Sequence, residues 1–394
     1  MEYKPQARVL WLQVWALAAV QGAIALMWVI YNLYIPQLLT AVGVSAVLAG
    51  VLILIENGLS ALMEPLMGNF SDRAQRWVGS RFPFISAGVA LTSVLFLGLP
   101  AIAIFGANSP IARWVLIFIA IAWALAMTVF RSPALSLLGR YAIGTNLSQA
   151  ASILTLVGAV VGAVAPFASE RLVQLGAPLT FGLGTGVLLG SAAVLRAVHP
   201  PEPMLVTSSV PGSDRIRWRF LLGRLVGLFC VGMGVAVGFR LMMQVFPAVL
   251  SQLPNADDRM ILALIFVAIA ITAIPAGTLA TRLGNVRALL LGLSAIAVCV
   301  LLLLMVRNVA VAAILAIALG ACFSLVSNGS LPFALSLVPP NKAGLGTGTY
   351  FGGAAIGTSI FFSRFGNLPT TSGIIVGAIA YAFAAACVLL VSRE

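Results

Sequence analysis

Twelve separable apolar runs, divided by short polar breaks, take up almost all of the 394 residues. A bilayer core about 30 Å thick is crossed by a helix of roughly 20 apolar residues, so each run has the length of one span. In lipid, backbone N–H and C=O groups have to be satisfied within the spanning structure, which leaves helices or a closed barrel. The runs carry no sustained period-two alternation, which excludes the barrel and predicts an all-α integral membrane protein. Composition agrees, since 61% hydrophobic and 8% charged residues cannot give a soluble domain a wettable surface. The net charge of +12 would suggest nucleic acid in a soluble protein. Here the arginines are spread over many short loops and not gathered on one face, so no nucleic-acid partner is expected.

The spans are expected at 9–36, 45–70, 84–105, 112–139, 148–170 and 178–198, then at 219–249, 258–281, 286–306, 309–338, 343–366 and 370–391. Six spans, a break and six more give an N-terminal lobe over 1–198, a linker over 199–218 and a C-terminal lobe over 219–394. The linker holds Pro200, Pro201, Pro203, Pro211, Gly212 and Asp214 beside Arg215, Arg217 and Arg219. The first span follows only Lys4 and Arg8 and is too long for a signal-peptide core, so it is expected to remain as a mature helix.

Basic residues set the orientation. One side carries fifteen: Lys4, Arg8, Arg73, Arg76, Arg81, Arg140, Arg196, Arg215, Arg217, Arg219, Arg224, Arg282, Arg287, Lys342 and Arg393. The other carries five: Arg113, Arg171, Arg259, Arg307 and Arg364. This bias places both termini and the linker in the cytoplasm, and the expected location is a bacterial inner membrane. The two halves also repeat. Ala134-Leu-Ser-Leu-Leu138 recurs as Ala334-Leu-Ser-Leu-Val338, Gly68 is answered by Gly277, and spans 1 and 7 are read as ending in Ile35-Pro36 and Phe246-Pro247. A duplicated six-helix unit is the plan of two-lobed transporters with a substrate site between the lobes near mid-membrane.

The break after span 2 holds Gly68, then Ser71-Asp72-Arg73, then Gly79-Ser-Arg81-Phe-Pro83-Phe84. This pattern resembles the cytoplasmic loop signature of the major facilitator superfamily, and its longer spacing is similar to that of the glycoside/sucrose-type cation symporter branch. In that branch an unbroken basic run precedes Pro-Phe, whereas Ser80 and Phe82 interrupt it here. Phe130-Arg131-Ser132-Pro133 resembles the branch's Arg-x-Pro segment, with Gly139-Arg140 where an acidic residue often closes it. Asn328-x3-Pro332 and Gly344-x-Gly346-Thr347-Gly348-x-Tyr350 add support. The resemblance implies a twelve-helix, two-lobed fold, alternating access and proton-coupled symport of a sugar or glycoside. Export of an amphipathic or pigment-like compound, or service as a non-transporting membrane assembly factor or receptor, are the other expectations.

The loop signature also has a physical logic of its own. Gly68 permits close helix approach, while Asp72 suits a neighbouring helix N-terminus or an arginine, making a latch in one lobe arrangement only. Gly68, Asp72, Arg73, Gly79 and Arg81 are the latch candidates; a solvated topogenic loop is the plainer alternative.

Glu56, Glu64, Arg131 and Arg240 are four charges deep inside the spans, where each costs about 2.5–3.5 kcal/mol on insertion scales. Glu64 and Arg131 lie at matching depth and are expected to pair, either as a static bridge or in coupling. Glu56 sits near mid-membrane with no arginine at its depth, so it is the proton-site candidate; a neutral carboxyl bonded to a neighbouring helix is the alternative. Arg240 could hold an anionic group, sugar hydroxyls or Glu56, or could simply snorkel or pack.

Gln21, Trp28, Tyr31, Asn32, Asn57, Gln244, Asn328 and Tyr350 form a neutral polar set, expected to line the cavity because aromatic faces beside amides suit a hydroxyl-rich ligand. Cys230, Cys299, Cys322 and Cys387 all fall in spans without metal-ligand spacing, and His199 is the lone histidine. No nucleotide-binding run or metal cluster is evident, so neither cofactor nor metal is expected, nor is catalysis. Protons are the expected coupling ion, and the lipid bilayer and a small-molecule substrate are the expected partners of a monomer.

Overall fold

The computed structural model describes residues 9–45, 48–106, 109–200, 218–254 and 258–393. It holds twelve long helices: α1 (Trp11–Ala41), α2 (Leu48–Val78), α3 (Phe82–Phe105), α4 (Ala112–Ser136), α5 (Leu147–Leu175) and α6 (Ala177–Val198), then α7 (Trp218–Leu250), α8 (Asp258–Leu283), α9 (Asn285–Leu302), α10 (Val309–Ser336), α11 (Ala343–Ile360) and α12 (Thr370–Arg393). No strand occurs among the described residues. Eleven of these helices are long and apolar enough to cross a membrane, and α11 is the one that is not. Its composition explains the difference. Glycine and threonine replace bulky apolar residues in α11, and most of the helix is buried against its neighbours rather than turned to lipid.

Each half builds its own core. One cluster of buried side chains runs from Val14 to Leu195 with Leu331 added, and a second runs from Leu228 to Val391 with Ala159 added. Outward faces carry Leu62, Phe105, Phe118, Ile271 and Ile314, which a lipid solvent accommodates. Residues 201–217, with most of the expected linker, lie outside the described residues, as do Lys4, Arg8, Arg215 and Arg217.

Three boundaries differ from those read in the sequence. Helix α2 continues to Val78, so Gly68, Asp72 and Arg73 stand on a helix and not in a loop. Only Gly79–Arg81 make the turn, where Gly79 adopts φ 77° and its N–H bonds to the Gln75 carbonyl. A left-handed glycine after the last helical residue is an ordinary helix stop. Helices α1 and α7 run past Pro36 and Pro247 to Ala41 and Leu250. Proline removes one helical hydrogen bond, but in a membrane bundle the freed groups are satisfied nearby and the helix goes on. The two-fold repeat is visible in the helix ends, because α4 stops at Ser136 and α10 at Ser336. In each, the serine hydroxyl donates to the carbonyl three residues earlier, Pro133 or Phe333.

The halves meet along two antiparallel crossings. In the first, Gly344, Gly348 and Gly352 of α11 lie on the α2 backbone. A methyl group at Gly68 would come within 2.1 Å of the Gly344 carbonyl oxygen, and one at Gly348 within 2.2 Å of the Glu64 carbonyl oxygen. In the second, Gly277 of α8 packs on Ser152 of α5, where a methyl group would lie 2.7 Å from its Cβ. Ser148 donates to Asn285 Oδ1 at 2.5 Å beside that contact, and at the opposite end Arg259 meets Glu170 at 2.5 Å, both well exposed.

Candidate substrate and coupling site

The strongest polar cluster joins the C-terminal half of α2 to the N-terminus of α11. Asp72 Oδ1 accepts from the Gly344 amide at 2.9 Å and Oδ2 from the Leu345 amide at 2.8 Å. The first amides of a helix have no intrahelical partner and carry the positive end of its dipole, so a carboxylate is their natural acceptor. Arg81 Nη2 donates to the same carboxylate at 2.5 Å, and Arg81 Nη1 bonds the Ser136 hydroxyl at the end of α4. Both charged side chains are buried, at 1% exposure each. Asp72 and Arg81 thus form a pair inside the first half, and Asp72 also reaches the second. Arg73, the other basic candidate of the latch, is exposed and lies over the Phe70 ring, 6.0 Å from its centroid. It points away from the cluster because it is one residue, about 100° of helical rotation, past Asp72.

Deeper in the first half are two more buried carboxyls with unlike surroundings. Glu64 accepts from Arg131 Nη2 and from the Ser132 hydroxyl, both on α4. The Arg131 side chain keeps 19% exposure, and its guanidinium lies over the Phe351 ring of α11, 4.8 Å from the centroid. Among the described residues, Glu56 forms no ion pair. Its Oε1 accepts from the Tyr31 hydroxyl of α1, and its Oε2 has no hydrogen-bond partner. Tyr31 is held for this by stacking on Trp123, with ring centroids 4.4 Å apart, and Trp28 packs edge-on against Trp123 at 4.9 Å. Arg240 does not meet Glu56; it lies over the Phe362 ring, 5.6 Å from the centroid.

Among the cavities between the halves, two share Phe351 in their walls. The larger, about 420 Å³, is mainly apolar, walled by Phe239, Phe266 and Phe323 with Gln21 and Tyr350 among its few polar residues. The smaller, about 200 Å³, is polar and includes Trp28, Asn32, Asn57, Thr128, Arg131 and Arg240. Glu56 stands behind the wall that its helix neighbours Ile53, Asn57 and Ser60 present to this cavity.

Three of the expected cavity residues are placed elsewhere. Tyr31 is fully buried inside the first half and spends its hydroxyl on Glu56. Gln244 donates to the Gly366 carbonyl at 2.7 Å, and Asn328 donates to the Ala273 carbonyl of α8 at 2.7 Å. Each side chain meets a backbone acceptor or a carboxyl before it can reach a cavity, as buried polar groups in lipid generally do. Sequence reading missed Ser132, Ser136, Trp123 and Phe351, and missed that the amides opening α11 receive Asp72. The four-residue spacing of Gly344, Gly348 and Gly352 was the available signal, since small residues at that spacing mark a close helix crossing. Trp123 was detectable as a tryptophan in the middle of a span rather than at an interface.

Residues 17–362 match the family model of the Major Facilitator Superfamily. No curated protein matches the sequence. Among solved structures, the chain is similar to a bacterial homologue of the iron transporter ferroportin in the outward-facing state with soaked iron, at TM-score 0.71 and 17% identity over 98% of this chain and 99% of that one. It is also similar to the transporter FucP in the outward conformation, at TM-score 0.66 and 15% identity over 96% and 98%. A variant of the E. coli fucose:proton symporter FucP gives TM-score 0.69 and 13% identity over 98% and 100%. At these identities the likeness concerns the fold.

Proposed function

The chain belongs to the major facilitator superfamily and is a multi-pass integral membrane protein, and from that premise we propose that it couples proton entry to uptake of a sugar or similar hydroxyl-rich solute by alternating access. The proposed topology has both termini cytoplasmic in a bacterial inner membrane, so the Asp72 cluster closes the cytoplasmic side.

The observation that carries this reading is Glu56. A fully buried carboxyl, bonded to one phenol and in no ion pair among the described residues, lies behind the wall of a polar cavity between the halves. An ionised carboxylate left without a counter-ion costs several kcal/mol to bury, so such a group is neutralised by a proton while the site is dry and releases it once the cavity is wetted. Glu64 is less suited to carry the proton because Arg131 and Ser132 already satisfy it. The larger cavity favours a second reading, export of an amphipathic compound against its phenylalanine walls.

Tracer uptake into proteoliposomes under an imposed pH gradient tests the proposal. Wild type should accumulate a sugar, and Glu56→Gln should lose accumulation while keeping exchange of internal for external sugar. Accumulation that persists in the variant refutes the assignment of Glu56. Gradient-driven extrusion of a lipophilic dye, with no sugar uptake, selects the export reading.

A further inference from the structure

We propose that the solute taken by the smaller cavity is a hydroxyl-bearing monoanion, a sugar acid, with its carboxylate held by Arg240. The inference rests on the reading of this cavity as the substrate site. Two guanidinium groups face the cavity, and they differ in one respect. Arg131 is neutralised by Glu64, whereas Arg240 forms no ion pair and donates no hydrogen bond among the described residues. Its contact is the Phe362 ring, which stabilises the cation without consuming a donor. A membrane-embedded guanidinium without an acidic partner leaves one positive charge for the ligand to balance. Trp28 adds a buried indole N–H, also without a partner.

The neutral lining is complementary to hydroxyl groups. The Asn32 and Asn57 side-chain amides donate to the carbonyls of Trp28 and Ile53 in their own helices. Thr128 and Thr358 donate to the carbonyls of Leu125 and Ala354. The threonine hydroxyls have then spent their one donor and offer lone pairs, while each asparagine keeps one amide N–H and its carbonyl oxygen, so the lining suits groups that both donate and accept, as hydroxyls do. A volume of about 200 Å³ is below the ~300–1,000 Å³ of drug-sized sites, which limits the ligand to a compact one. A small anion carrying several hydroxyls satisfies all three requirements.

The test is binding of labelled D-glucuronate to the purified full chain in detergent, with competition by D-gluconate and D-glucose. D-Glucuronate should bind, D-gluconate should displace it, and D-glucose should need at least about ten-fold more, the lower range for a charge-assisted hydrogen bond. Arg240→Gln should weaken D-glucuronate binding by at least about ten-fold and Arg240→Lys by less, while Arg307→Gln, at an exposed arginine, should match wild type. Absence of D-glucuronate binding to wild type, equal or tighter binding of D-glucose, or full binding by a folded Arg240→Gln variant overturns the inference. If Arg240→Gln fails to fold, the competition on wild type still decides. Uptake of D-glucuronate that ignores the pH gradient overturns proton symport alone, and gradient-driven uptake of D-glucose in preference to D-glucuronate overturns the anion inference alone.

Discussion

Replacing Asp72 with asparagine should open the cytoplasmic side by a calculable amount. The carboxylate accepts from two amides across the interface, at 2.9 and 2.8 Å, and from Arg81 within its own half at 2.5 Å. When the halves part on this side, the Arg81 contact survives and cancels from the equilibrium, whereas both amide contacts are lost. A hydrogen bond to a charged group contributes about 1.5–3 kcal/mol net. Asparagine keeps one acceptor for an amide, without the charge, and turns an N–H₂ toward a donor. The closed arrangement should therefore lose about 2–3 kcal/mol relative to the open one, a shift of about 30- to 150-fold at 1.4 kcal/mol per decade. Spin labels on cysteines replacing the exposed Val78 and Leu283, at the ends of α2 and α8, in a background lacking the four native cysteines, report the separation by electron double resonance. Asp72→Asn should raise the long-distance population by that ratio, and Arg73→Gln should leave it where wild type has it, since Arg73 is outside the cluster. A distance distribution unchanged by Asp72→Asn, in protein that still folds, would refute the latch.

Two further outcomes follow from packing and charge. Glu64→Gln leaves Arg131 without its carboxylate and should lower the thermal midpoint in detergent. Removing one partner of a buried pair costs about 3–5 kcal/mol, and the cavity exposure of Arg131 puts this case at the lower end. The double variant Glu64→Gln/Arg131→Gln should cost less than the two single variants added together, and strict additivity would mean the pair does not interact. Gly353→Ala places a methyl group 1.9 Å from the Phe229 carbonyl oxygen, where overpacking should cost about 1–3 kcal/mol or more. Gly190→Ala meets nothing within 4 Å and should melt with wild type, so equal midpoints for the two alanine variants would contradict the packing described.

The candidate site was legible in the sequence to uneven depth. Glu64 and Arg131 could be paired because both are charges in lipid at similar helical depth, and at that cost each needs a partner. Asp72 could be matched with a helix N-terminus or an arginine, and it meets both. Which helix supplied the amides could not be read, because Gly344 is 272 residues away along the chain. The cavity set was the weakest part. Tyr31 and Gln244 are as polar as Asn57, yet they face into the bundle, while Phe239, Phe266 and Phe323 line the larger cavity without any polar mark.

The sequence alone determined the class of protein, the number of long helices and nearly all their positions, because lipid forces each apolar run to satisfy its backbone locally as a helix. Tertiary structure decided where polar side chains spend their hydrogen bonds. A helix in this bundle has lipid, other helices and an internal cavity as neighbours, and side chains apolar on every side give no periodic signal to tell them apart. The crossings at Gly68 with Gly344 and Gly277 with Ser152 set those neighbours. They leave Glu56 with a phenol, Glu64 with a guanidinium and Arg240 facing an open cavity, three charged groups in one membrane with three different chemical states available to them.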